Sequence, residues 1–132
     1  MEFKNNIKKI LTNKKDTLST KLFIIDNLKK IINTKRIFII DAKKKDIRGN
    51  HAHKKCTQVF ISLNGRIKLE IYNGKKKKFY FLNPFKNILK VRPLHWVKVY
   101  FKKDQKLMVL CDQSFNKKDY IYSIDELKCL SK

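Results

Sequence analysis

Apolar and polar positions alternate over short runs along this chain. At positions 67, 69 and 71 stand Ile, Leu and Ile, while 66, 68 and 70 are Arg, Lys and Glu. That pattern predicts a strand with one dry and one wet face. Further strand-like runs fall at 22–25, 36–41, 57–63, 78–82, 88–91, 96–101 and 107–111. The run 57–63 is apolar at nearly every position (Val59, Phe60, Ile61, Leu63), which predicts cover on both faces and points to a dimer partner over the outer one. Asn64-Gly65 and Asn73-Gly74 read as two-residue hairpin turns, and Asn83-Pro84 marks another turn. The end differs. Ser123 followed by Glu126 is a capping box and predicts a short C-terminal helix. Many short strands joined by tight turns predict an all-β antiparallel sandwich, jelly roll or barrel.

A length of 132 residues suits one domain, taken as 1–132, with a real core. There is no apolar run of about 18 residues, so no membrane span is expected. The start, Met1-Glu2-Phe3-Lys4, lacks the apolar core of a secretory signal. Cys56, Cys111 and Cys129 have no metal-ligand spacing and read as free thiols of a cytoplasmic protein.

The net charge is +22, from 33 basic and 11 acidic residues. Alone this suggests nucleic acid or an anionic surface. Yet only Arg36, Arg48, Arg66 and Arg92 are arginines, and arginine is the better fork for phosphates. Lysine, isoleucine and asparagine dominate together, as in an AT-rich genome. The lysine runs at 43–45 and 75–78 fall where turns are expected and read as solvated loop tips. No nucleic-acid partner is therefore expected, though the charge favours an anionic ligand such as a nucleotide diphosphate.

The segment from Arg48 to Gly65 carries the chemistry. It contains His51 and His53, then Gln58, an apolar strand and Asn64-Gly65. On a strand, two histidines spaced by two point to one face. The frame resembles the first cupin motif, with an amide in place of the acid. Three uses of the pair stand open. Two imidazoles with a distal histidine, His95, can hold a metal, although neutral Gln58 is a poor ligand for a divalent ion. Two imidazoles facing one cavity can shuttle a proton, because both cannot be charged together and one stays basic. Or both simply hydrogen-bond core groups.

Three segments in order, Arg48-Gly49-Asn50-His51-Ala52-His53-Lys54-Lys55 with Gln58 and Leu63-Asn64-Gly65, then Pro93-Leu94-His95-Trp96, then Asp119-Tyr120-Ile121, resemble the metal-free cupin dTDP-sugar 3,4-ketoisomerases. The resemblance implies a cupin-type jelly roll, a homodimer that often exchanges N-terminal strands, and no cofactor or metal. It implies the substrate dTDP-4-keto-6-deoxy-D-glucose. A base takes the C3 proton, an enediol(ate) forms, and a proton returns at C4. An aminotransferase then acts on the product, toward 3-amino-3,6-dideoxy sugars of surface glycans. The resemblance makes His53 the proton shuttle and His51 its neighbour, with Arg48, Gln58, His95 and Trp96 at the substrate.

Two positions depart from the family pattern. The strand before Arg48 carries no tyrosine, and Ile39 stands nearest the tyrosine's place, to within one residue. Val97 stands where a basic residue is usual after the tryptophan. Tyr72, Tyr100 or His95 are candidates to make good the loss. A metal-dependent cupin enzyme and a non-catalytic sugar-nucleotide-binding cupin are the alternatives.

Overall fold

The alternating runs become strands, and the chain repeatedly crosses between two sheets. The computed structural model describes residues 7–9 and 20–132. The strands are β1 (Ile7–Lys9), β2 (Arg36–Asp41), β3 (Asp46–His53), β4 (Gln58–Asn64), β5 (Ile67–Tyr72), β6 (Lys77–Leu82), β7 (Asn87–Val91), β8 (Trp96–Phe101), β9 (Lys106–Cys111) and β10 (Tyr120–Ile121). Helix α1 (Ile124–Leu130) follows. The two five-stranded sheets run β1-β7-β4-β9-β2 and β10-β3-β8-β5-β6. Their inner faces close on one core, with Leu69, Ile71, Val99 and Phe101 meeting Phe60, Leu89, Leu107 and Val109. This is the all-β jelly roll with a short C-terminal helix that the patterning predicts. The Ser123 hydroxyl accepts from the Glu126 amide at 3.4 Å, so the helix starts at its expected cap.

Four local expectations are corrected. The run 22–25 is not a strand. Phe23 and Ile25, with Leu28, Ile31 and Ile32, pack on Val59, Ile61, Ile88 and Leu110. That segment covers the outer face of β4, so the apolar character of 57–63 is explained by the chain itself and is no sign of a second copy. Full burial of such a side chain contributes roughly 1.5–3 kcal/mol, and partial burial of several holds the segment on the sheet. Asn64-Gly65 is not a hairpin turn, because β4 and β5 lie in different sheets. It is a corner, with Gly65 at φ +76° under the Gln105 side chain. Asn73-Gly74 does open a hairpin between β5 and β6, but of four residues, since Tyr72 pairs with Lys77. The Asn73 side chain accepts from the amides of Lys75 and Lys76, which fixes that longer loop. The N-terminal segment expected to exchange between copies lies largely outside the described residues; β1 pairs with β7 of the same chain.

Candidate active site

Strand β3 is bent by one extra residue. Arg48 pairs with Val99 and Gly49 with Lys98, but His51 pairs with Val97, so the register shifts across Asn50. The bulge decides which side chains share the barrel interior. Val97 and Val99 both belong to the inner core, so their partners His51 and Arg48 face inward together, although their odd spacing would set them on opposite faces of a regular strand. Gly49 is required there. It has φ +94°, and a Cβ would meet the Val97 carbonyl oxygen at 2.5 Å.

Beneath β3 lies a cavity of about 640 Å³, within the range that holds small ligands. Arg48, His51 and Gln58 line it. So do Arg36, Phe38, Phe115, Tyr120 and Tyr122, none of which the sequence reading placed at the site. His53 is not part of the lining; it is 5% exposed and sits behind His51, with ring centroids 5.0 Å apart.

The two imidazoles have different partners. The His51 Nδ1–H donates to the Gly49 carbonyl at 3.0 Å, which leaves Nε2 as the basic atom. The His53 Nδ1–H donates to Asp119 Oδ2 at 2.9 Å. Asp119 also accepts from the amides of Lys55 at 2.7 Å and Cys56 at 3.3 Å. Burial lowers both imidazoles from the ordinary 6.5. Against it, the Gly49 hydrogen bond raises His51 and the Asp119 contact raises His53. Both are therefore neutral bases at neutral pH.

Tyr120 closes the cluster. Its ring lies 4.5 Å from that of His53 and 4.9 Å from that of His51, and it stacks on Tyr122 at 5.6 Å. Arg36 reaches the same place from β2 and lines the cavity beside Tyr120. Its guanidinium lies over the rings of Phe38 and Phe115, at 5.4 and 5.5 Å. Its buried Nε has no hydrogen-bond partner, while the side chain as a whole lines the cavity and brings a positive charge to it.

Other expected residues fall elsewhere. Trp96 is on the far face of its sheet, packed with Ala52, Ile121 and Leu127 under α1; it is helix packing, not cavity wall. His95 is also outside the lining, with Nδ1 turned to the carbonyls of Arg92 and Pro93 at 3.1 and 2.9 Å. Tyr72 donates to the Gly74 carbonyl and Tyr100 to Glu70, so neither hydroxyl serves the cavity. Val97 is inner core. Position 38, not 39, faces inward. Ile39 is 59% exposed on the outer face, and Phe38 presents a ring without a hydroxyl.

His53 Nδ1, Cys56 Sγ and an Asp119 oxygen lie within 4.8 Å of one another. Each is already engaged. Asp119 holds the imidazole and two amides, and the Cys56 thiol lies 3.4 Å from the Thr57 carbonyl. The set is a hydrogen-bonded brace for His53 rather than a ligand shell. The Gln58 amide Nε2 donates to Cys111 Sγ at 3.5 Å and brings no negative charge to a cation.

A family model described as WxcM-like, C-terminal (FdtA) matches residues 4–132. The TDP-4-oxo-6-deoxy-alpha-D-glucose-3,4-oxoisomerase of Aneurinibacillus thermoaerophilus is 32% identical over 125 residues, covering 93% of this chain and 87% of that protein. WlaRA, a TDP-fucose-3,4-ketoisomerase from Campylobacter jejuni, superposes with TM-score 0.84 at 30% identity, over 98% of this chain and 96% of its own. QdtA, a 3,4-ketoisomerase from Thermoanaerobacterium thermosaccharolyticum solved with TDP-4-keto-6-deoxyglucose, superposes with TM-score 0.87 at 27% identity, over 99% and 96%.

Proposed function

The chain belongs to the WxcM-like, C-terminal (FdtA) family of sugar 3,4-ketoisomerases, and on that premise we propose that it isomerises dTDP-4-keto-6-deoxy-D-glucose to the dTDP-3-keto-6-deoxyhexose. The observation that carries this reading is a neutral imidazole on the wall of the cavity, its tautomer fixed by the Gly49 carbonyl.

The first proton transfer falls to His51 rather than His53 in this reading, because His51 is in the cavity lining and His53 is not. His51 Nε2 takes the proton from C3 and returns one at C4. His53, held by Asp119, stands 5.0 Å behind it, and burial keeps His51 neutral at the start of the cycle. The enediolate between C3 and C4 puts charge on two adjacent oxygens. Arg36 and Tyr120, which line the cavity, are the donors for that charge. Arg48, at the mouth, and Gln58 bind the substrate. The basic surface favours its diphosphate.

The single domain 1–132 works as a homodimer in the cytoplasm, and its product goes to an aminotransferase. The exposed row Ile37 and Ile39 on β2, 57% and 59% exposed, supports an apolar contact with a second copy. No helix among the described residues is long and apolar enough to cross a membrane.

Incubating the protein with the keto-sugar nucleotide in deuterium oxide tests the reaction by NMR. Deuterium at C4 with a new 3-keto product is the expected result, and its C4 configuration assigns the galacto or gluco series. A second reading, a sugar-nucleotide-binding cupin without turnover, is motivated by Phe38. It requires that dTDP raise Tm while no isomer forms.

A further inference from the structure

The two sheets differ in what lies over their outer faces. On one, the segment with Phe23 and Ile25 packs over β4. On the other, α1 packs on Ala52 and Trp96, with Tyr72 against that cluster. The rest of this second face, over β5 and β6, carries large apolar side chains in the open. Phe79 and Phe81 of β6 are 45% and 38% exposed, and Ile47 of β3 is 49% exposed. Alternation turns Phe79 and Phe81 outward, because Tyr80 and Leu82 point into the core. The register gathers these residues. Ile47 pairs with Tyr100, Tyr100 with Lys68 and Lys68 with Phe81, so one row crosses β3, β8, β5 and β6. Cations lie on the rings. Lys68 Nζ is 4.5 Å from the ring centre of Phe79 and 5.3 Å from that of Tyr100, and the Arg66 guanidinium carbon is 4.2 Å from that of Phe81. In the adjacent row Glu70 is 6% exposed, with Lys77 at 3.6 Å, Lys98 at 3.8 Å and the Tyr100 hydroxyl at 3.2 Å. Two lysines on one carboxylate leave the face positive.

Charge selects the occupant. A second copy, with the same net charge of +22, is repelled from this face. A nucleic-acid base needs a free ring face on which to stack, and Lys68 and Arg66 already lie over these rings. What remains is apolar surface with cations alongside. That is how amphipathic groups sit at a lipid boundary, with rings at headgroup level and lysine and arginine heads at the phosphates. We propose that the outer face of β5 and β6 docks on an anionic phospholipid bilayer. Phe79, Phe81 and Ile47 enter the headgroup layer, and Arg66 and Lys68 meet the lipid phosphates. The cavity lies on the other side of this sheet, where Val97 and Val99 of β8 line it, so docking requires no change in the cavity.

The test is co-sedimentation of the full chain with vesicles, either of phosphatidylcholine alone or of phosphatidylcholine mixed with phosphatidylglycerol, at about 0.15 M salt. Binding is expected to the anionic vesicles only. Phe79→Ser with Phe81→Ser should weaken it on the order of tenfold. Arg66→Ala with Lys68→Ala should weaken it roughly 25-fold, at about fivefold per cation. Lys29→Ala with Lys30→Ala removes the same charge from the segment over the opposite sheet and should leave binding nearly unchanged. Circular dichroism checks that each variant is folded. Equal losses in the two charge variants, or binding indifferent to the phenylalanines, would reduce the effect to diffuse attraction of a basic protein and overturn the proposal. Failure to bind anionic vesicles also overturns it. So does tighter binding of a single-stranded oligonucleotide that the phenylalanine variant abolishes. Sedimentation does not depend on turnover, so this proposal and the ketoisomerase reading fail separately.

Discussion

His53 Nδ1 donates to Asp119 Oδ2 at 2.9 Å, joining residues 66 apart in the chain. Behind this contact the 3-10 turn Lys117–Asp119 carries the carboxylate, capped by the Asn116 side chain, which accepts from the Lys118 amide. The same carboxylate accepts two amides of the turn after β3. It therefore fixes the second imidazole and the backbone that follows it in one step.

Asp119→Ala leaves that imidazole N–H and two amides without their acceptor. Each unsatisfied buried group costs about 1–3 kcal/mol, so urea unfolding should show a loss of at least that size, with turnover reduced as well. An unchanged midpoint would mean that the brace is not structural.

His51→Asn removes the base that touches the substrate. The expected loss in kcat is roughly 10²–10⁴-fold, with an unchanged circular dichroism spectrum. His53→Asn should cost less, because that ring is one layer back. The reverse order would return the shuttle to His53.

Burial holds His51 and His53 below 6.5 in the folded protein. As pH falls below that value the unfolded chain takes up protons that the folded one refuses, so stability is intact above it and is lost until the folded values are passed. Denaturant midpoints at about pH 7.5 and about pH 5 should show the decline. The acid limb of kcat/KM should also lie below 6.5, since the base works neutral.

Trp96 packs beneath α1. Trp96→Ala should cost about 3–5 kcal/mol and lower Tm, while Trp96→Phe keeps the KM for the sugar nucleotide. A large rise in KM for the phenylalanine variant would put this ring back at the ligand.

Phe38→Tyr and Ile39→Tyr place a hydroxyl on opposite faces of β2. Only the first enters the cavity, so it alone should raise kcat, by supplying a second proton donor near the enediolate. Equal behaviour of the two variants would contradict the facing of the strand.

Much of the fold was legible because alternation is local. Ile67, Leu69 and Ile71 declare the dry face of β5 within seven residues, and Ser123 declares the start of α1. The segment around Phe23 and Ile25 misled, because an irregular stretch that covers a sheet needs the same apolar residues as a strand. Asn64-Gly65 misled because a corner between sheets and a hairpin turn ask for the same positive φ. The site was legible on β3 and at Gln58 of β4. Arg48, His51 and His53 are neighbours in sequence, whereas Arg36, Asp119 and Tyr120 come from β2, the turn after β9 and β10.

By itself the sequence determined the class of fold and the pair of imidazoles, since both follow from residue order along one strand. Tertiary structure alone decided which imidazole meets the cavity and which aromatic residues surround it. Those outcomes depend on the bulge at Asn50 and on strands that pair across the barrel, and pairing between distant segments leaves no periodic trace in the chain.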